Sequence, residues 1–114
     1  MPHLSPFVRS GNHLYLSGQL GFDDERRLAN DIGSQTCQCL ANIAQTLAAE
    51  GLSLRNVIKA TIFLTRAADF PAFDTAYAVM FGDNRPARST VITGLAILGA
   101  FIEIEVIAEV ERSG

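Results

Sequence analysis

Apolar positions along this chain switch between a two-residue and a roughly four-residue period, and the switches mark out its elements. Phe7-Val8-Arg9-Ser10 and His13-Leu14-Tyr15-Leu16-Ser17 flank Gly11-Asn12, a short-turn dipeptide, so Phe7 to Gln19 reads as a hairpin. On its return strand Leu14 and Leu16 share one face, while His13, Tyr15 and Ser17 share the other. Gly21 to Asn30 is polar and reads as a surface loop. From Asp31 to Glu50 the residues Ile32, Thr36, Leu40, Ile43 and Leu47 recur at helical spacing. Gly51 then stands where a left-handed helix cap belongs.

Val57 to Leu64 returns to period two. Strict alternation places Ile58, Ala60, Ile62 and Leu64 on one face and Val57, Lys59, Thr61 and Phe63 on the other. Asp69 to Phe81 predicts a second helix, with Pro71 tolerated in its first turn and Gly82 ending it. Its stripe of Phe70, Phe73, Tyr77 and Phe81 reads as core. Arg85 to Val110 holds two more strands, joined by Leu-Ala-Ile-Leu-Gly-Ala. In the first, Arg88, Thr90 and Ile92 share a face and Ser89 and Val91 point away. In the second, Ile102, Ile104, Val106, Ala108 and Val110 form an apolar face opposite Phe101, Glu103, Glu105, Ile107 and Glu109.

The order strand, strand, helix, strand, helix, strand, strand predicts an α+β domain over residues 1–114. Two helices are too few to cover both faces of a sheet, so they should cover one. The aliphatic face, with Leu14, Leu16, Ile58, Ile62, Ile102, Ile104 and Val106, suits the helices. The other mixes Tyr15, Phe63, Phe101 and Ile107 with Ser17, Lys59, Thr61, Glu103 and Glu105. A face that greasy and that charged predicts packing against further copies of the chain.

Composition sharpens this picture. The chain is 48% hydrophobic and 18% charged, more apolar than one small core of 114 residues demands, which again points to self-association. A net charge of −3 argues against a nucleic-acid groove. No run has the length of a membrane span, and the first residues lack a basic-then-apolar leader, so the expected location is the cytoplasm. Cys37 and Cys39, two apart on a helix, predict reduced thiols rather than a disulfide or a zinc site.

Two side chains carry candidate chemistry. Arg88 is a permanent planar cation on a rigid strand, suited to gripping a carboxylate through two hydrogen bonds. Glu103 could handle a proton or a water. Read without further context, Arg88 is an ion-pairing residue at a subunit boundary and Glu103 a paired or solvated carboxylate.

Ser17-Gly18-Gln19, Arg85-Pro86-Ala87-Arg88-Ser89-Thr90-Val91 and Glu103-Ile104-Glu105-Val106-Ile107-Ala108 together resemble the RidA/YjgF family. Its members are also described as reactive-intermediate imine deaminases and, under an older label, as endoribonuclease L-PSP. The resemblance spans nearly the whole chain. It implies a chorismate-mutase-like fold assembled as a homotrimer, with a central β-barrel, helices outside and clefts between subunits. It implies hydrolysis of small 2-imino acids or their enamine precursors to 2-oxo acids and ammonia, as a 2-iminobutanoate/2-iminopropanoate deaminase, with no metal or cofactor. Arg88 falls on the family's carboxylate-gripping arginine and Glu103 on the glutamate that positions water. Phe7, Ser17, Gly18, Asp74 and Thr90 fall on cleft-lining positions. Many members have tyrosine at the place of Phe7, asparagine at that of Asp74 and cysteine at that of Thr90. The alternative is a non-catalytic module that binds small carboxylates in the same cleft. A ribonuclease follows only from the older label, and the acidic charge speaks against it. Arg88 and Glu103 are expected to face one pocket at a seam between copies.

Overall fold

The computed structural model describes residues 2–110. Met1 and residues 111–114, the two ends of the predicted domain, lie outside the described residues. β1 (Phe7–Ser10) and β2 (His13–Leu16) form the hairpin, turning through Gly11 at a φ of +59°. α1 (Ile32–Ala48), β3 (Val57–Leu64), α2 (Phe70–Phe81), β4 (Ala87–Ile92) and β5 (Ile102–Glu109) follow, with single 3₁₀ turns ahead of β3 and α2. The sheet runs β1-β2-β5-β3-β4. β3 and β4 are parallel and every other pair is antiparallel, so the sheet is mixed. The predicted element order holds throughout.

Local chemistry explains the boundaries. Asp31 caps α1, its carboxylate accepting a hydrogen bond from the Ser34 N–H at 2.8 Å. The helix ends in a left-handed Gly51 at φ +75°, with the Leu52 N–H reaching back to the Leu47 carbonyl at 2.9 Å. α1 and α2 lie side by side on one sheet face.

Register sorts the side chains into cross-strand rows. Under the helices run Arg9–Leu14–Ala108–Val57, then Val106–Ala60–Arg88, Ile104–Ile62–Thr90 and Ile102–Leu64–Ile92. The central members of these rows pack against Leu40, Ile43, Leu47 and Phe73 to make the core. A large aliphatic side chain so buried contributes about 1.5–3 kcal/mol. On the open face run Val8–Tyr15–Ile107–Lys59–Ala87, Glu105–Thr61–Ser89 and Glu103–Phe63–Val91. This is the mixed face anticipated from the sequence, and Val8, Tyr15 and Val91 are exposed on it.

One residue departs from the alternation. β3 carries a bulge between Val57 and Lys59, so Val57 pairs with Ala108 while Lys59 pairs with Ile107. Ile58 is the extra residue. Val57 therefore turns inward and is fully buried, while Ile58 is only half-buried, the reverse of the expected placement.

Gln35 on α1 is buried, yet fully satisfied. Its amide nitrogen donates to the carbonyls of Ala29 (2.7 Å) and Gly99 (3.0 Å), and its oxygen accepts from the Phe101 N–H at 2.8 Å. One side chain thus ties the loop before α1 and the β4–β5 connection to the helix.

Candidate functional site

Apart from Phe7, the predicted site residues fall into two groups on opposite faces of the sheet. The first lies at the β4 edge, on the helix side. Arg88 sits beside buried Ala60 in the register, so its side chain rises toward α2. There the stripe of α2 forms a shelf: the guanidinium carbon lies 4.8 Å from the Tyr77 ring centre, 5.3 Å from Phe73 and 5.6 Å from Phe70. A cation over aromatic faces is attracted by their electron-rich centres. Asp74, one residue after Phe73 on the same helix, accepts a hydrogen bond from Arg88 Nη1 at 2.8 Å. The remaining guanidinium N–H groups have no protein acceptor among the described residues. Thr90 follows two positions along β4 on the same face.

The Tyr77 hydroxyl belongs to this group too. It is buried without a hydrogen-bond partner among the described residues. Burial pushes its pKa up to about 12; the nearby Arg88 pulls it down and Asp74 raises it further. The sequence marks the stripe as core, which Phe73, Tyr77 and Phe81 are. Its second role, as the seat of an arginine, was not anticipated. The signal was present: Phe70, Phe73, Asp74 and Tyr77 share one helix face.

The second group lies on the open side, around β5. Glu103 pairs across the sheet with Phe63, which faces away from the helices. Its carboxylate rests directly on Gly18, where there is no side chain to hold it off. Burial pushes its carboxyl above the usual 4.5, and the neighbouring charge of Glu105 pushes the same way. Gly18 is fixed by its neighbours: Gln19 N donates to the Ile104 carbonyl at 2.8 Å and Ile104 N to the Gln19 carbonyl at 3.0 Å. Beneath it the buried Cys39 thiol donates to the Gln19 carbonyl at 3.0 Å. Ser17 Oγ donates to the Ser5 carbonyl at 2.6 Å, so this hydroxyl hydrogen is already engaged. Phe7, paired with core residue Leu16, faces the helix side instead and packs at the margin of the core, apart from both groups.

Arg88 and Glu103 therefore do not open onto one pocket within a single chain. β3 lies between their strands, and the sheet itself separates their side chains. Three clefts of the single chain agree with this. One of about 540 Å³ is lined by Ser53, Arg55, Asn84 and Arg85, and another of about 700 Å³ follows the outer α1–α2 groove. A third of about 170 Å³, with Tyr15, Lys59, Thr61 and Glu105, lies on the open face. None is lined by Arg88 or Glu103. A pocket holding both needs the β4 edge of one copy against the β1–β2–β5 side of another. Among the described residues no three His, Cys, Asp or Glu side chains converge as a metal site.

The family model described as Endoribonuclease L-PSP matches residues 1–110. The chain belongs to this family, the RidA/YjgF family. Among RidA/YjgF relatives, the 3-aminoacrylate deaminase RutC of Acinetobacter baylyi is 38% identical over 114 residues, covering 96% of this chain and 90% of the relative. The chloroplastic Reactive Intermediate Deaminase A of Arabidopsis thaliana is 38% identical over 106 residues, 91% of this chain and 57% of that protein. The crystal structure of RidA from an Antarctic Psychrobacter superposes with a TM-score of 0.89 at 33% identity, covering 95% of this chain and 89% of that one. The family thus includes deaminases of reactive intermediates, and its RidA fold is the one described here. No described helix is long and apolar enough to cross a membrane.

Proposed function

We propose that this chain is a hydrolase that removes ammonia from small 2-imino acids of the 2-iminopropanoate or 2-iminobutanoate type. It acts from clefts between the copies of a cytoplasmic homotrimer. The observation that carries the reading is the guanidinium of Arg88, held over three rings with most of its N–H groups unclaimed. That arrangement suits a planar carboxylate taken by two parallel hydrogen bonds. Homotrimeric assembly is typical of the family, and the apolar and charged rows of the open face supply a surface for it. Repeated head-to-tail contacts that close into a ring bring unlike edges of neighbouring copies together. That is the juxtaposition the two groups of site residues require.

In such a cleft Arg88 fixes the carboxylate, and so the C=N carbon beside it. Glu103 of the next copy holds a water against that carbon. Water oxygen bonds to carbon as the C=N π pair moves onto nitrogen, and Glu103 takes one water proton and hands it to that nitrogen. The hydroxyl proton follows the same path to nitrogen as C=O forms, the C–N bond breaks with its electron pair and ammonia leaves. Imine and water in, 2-oxo acid and ammonia out, the sum balances without an added cofactor. A carboxyl raised above the usual range is a better proton relay near neutrality. Orientation supplies much of the remaining gain, because imines already hydrolyse readily in water. Ser17, Gly18, Phe7 and Thr90 complete the walls.

The test generates imine with an amino-acid oxidase and traps the remainder with semicarbazide. The protein should speed the loss of trappable imine. Arg88→Ala should abolish that acceleration while size-exclusion and sedimentation still report a trimer. Equal rates in the two proteins overturn the mechanism. The second reading, a carboxylate-binding module without catalysis, is favoured by the completeness of the Arg88 half within one chain. Binding of 2-oxobutanoate without any acceleration would establish it.

A further inference from the structure

We propose that Asp74 makes the Arg88 pocket selective for zwitterions, ligands that carry a protonated nitrogen beside their carboxylate, over plain 2-oxo acid anions. The inference rests on the reading that Arg88 receives the substrate carboxylate.

Three observations meet at this point. Arg88 is already paired, through one Nη1–H to Asp74 Oδ1 at 2.8 Å. The pair is accessible: the Arg88 side chain is 24% exposed and that of Asp74 50%. The other Asp74 oxygen has no hydrogen-bond partner among the described residues. An incoming ligand therefore meets a cation and an anion side by side, both with open valence. The shelf beneath is aromatic and supplies no further charge, and the buried Tyr77 hydroxyl stays neutral.

A simple anion gains Arg88 but must sit within a few ångströms of the Asp74 charge. At a half-exposed site that repulsion costs roughly ten-fold in affinity. A protonated imine places its N–H donors on the carbon next to the carboxylate. Its carboxylate can take the free guanidinium N–H groups while its nitrogen donates to the open Asp74 oxygen. Both charges are then paired. The 2-oxo acid keeps the carboxylate but has an acceptor where the donor was, so product is repelled where substrate is held. Asp74 is thus a specificity residue: it reads the nitrogen and hastens departure of the ketone.

The experiment compares two probes with one carbon skeleton, 2-oxobutanoate and 2-aminobutanoate, by titration calorimetry on the assembled protein. The wild type should prefer the amino acid by about ten-fold or more. Asp74→Asn keeps the shape and removes the charge. It should tighten 2-oxobutanoate about ten-fold, weaken 2-aminobutanoate, and so reverse the order. An unchanged preference in Asp74→Asn, or no detectable binding of either probe to either protein, overturns the proposal. Arg88→Ala separates the two layers. Loss of both probes keeps the carboxylate reading whatever Asp74 does, and retention of both removes that reading first.

Discussion

Gly18→Ala and Gly21→Ala are the same chemical change with opposite expected consequences, and the contrast tests how the site is built. The three atoms nearest a Cβ on Gly18 all belong to Glu103: its carboxylate at overlap, its Cδ at 2.9 Å and its Cγ at 3.1 Å. All of these atoms belong to the far end of a flexible side chain. Swinging Glu103 away costs about 0.5–1.5 kcal/mol of rotamer strain. The loss of backbone freedom in the unfolded chain returns about 0.4–1 kcal/mol. The net effect on stability should stay below about 1 kcal/mol. If Glu103 acts as proposed, activity should not be spared, because a reacting group displaced by about an ångström can cost on the order of 100-fold. A Cβ on Gly21 meets the backbone of α1 instead, Gln35 O at 2.6 Å and Gln35 Cα at 3.1 Å. That helix cannot step aside, so Gly21→Ala should lose about 1–3 kcal/mol. Urea unfolding at one fixed protomer concentration, read beside the imine-trapping rate, separates the two variants. A Gly18→Ala protein that keeps its full rate would refute the proposed role of Glu103, and one as destabilised as Gly21→Ala would refute its placement on Gly18.

The remaining predictions concern single groups. The Glu103 carboxyl is raised above 4.5, so the folded state binds its proton more tightly than the unfolded chain, and its ionisation opposes folding. Glu103→Gln should therefore match wild-type stability below about pH 4.5 and pull ahead as pH rises past the folded pKa; a gap that instead widens in acid contradicts the assignment. Cys39 is buried and burial pushes its thiol up, whereas Cys37 is half-exposed. Ellman's reagent should modify one thiol per native chain and the second only in denaturant; two fast thiols would contradict the packing. Tyr77→Phe removes a buried hydroxyl that has no partner, so the melting temperature should hold or rise, by up to about 1 kcal/mol of stability. A loss of more than that would show that the hydroxyl has a partner in the assembled protein.

The elements were legible because period and punctuation agreed. Gly11, Gly51 and Gly82 all adopt the positive φ that a turn or helix end demands, and each marks a boundary read from the sequence. The exception at Ile58 has a physical reason. A bulge is an event in backbone pairing, and no glycine or proline in Val57-Ile58-Lys59 announces it. The strand or helix that carries each candidate residue was legible, but not their separation. β5 has one wholly apolar face, which assigns Glu103 to the other. β4 has none, so nothing in Arg88-Ser89-Thr90-Val91 says which side meets the helices. Only pairing with β3 decides that Arg88 rises toward α2. The Asp74 partnership was hidden for a similar reason, since it joins residues 14 positions apart on a helix and a strand.

The amide of Gln35 has an effect reaching beyond the loops it joins. By grasping the carbonyl of Gly99 and the N–H of Phe101, it acts as a ruler that sets where β5 begins. A one-residue slip there would turn Glu103 toward the helices and Ile104 toward the open side. The stretch just before the clasp is therefore constrained in length but permissive in content. Leu98, wholly exposed on the single chain, stands at its tip and bears no part of that clasp.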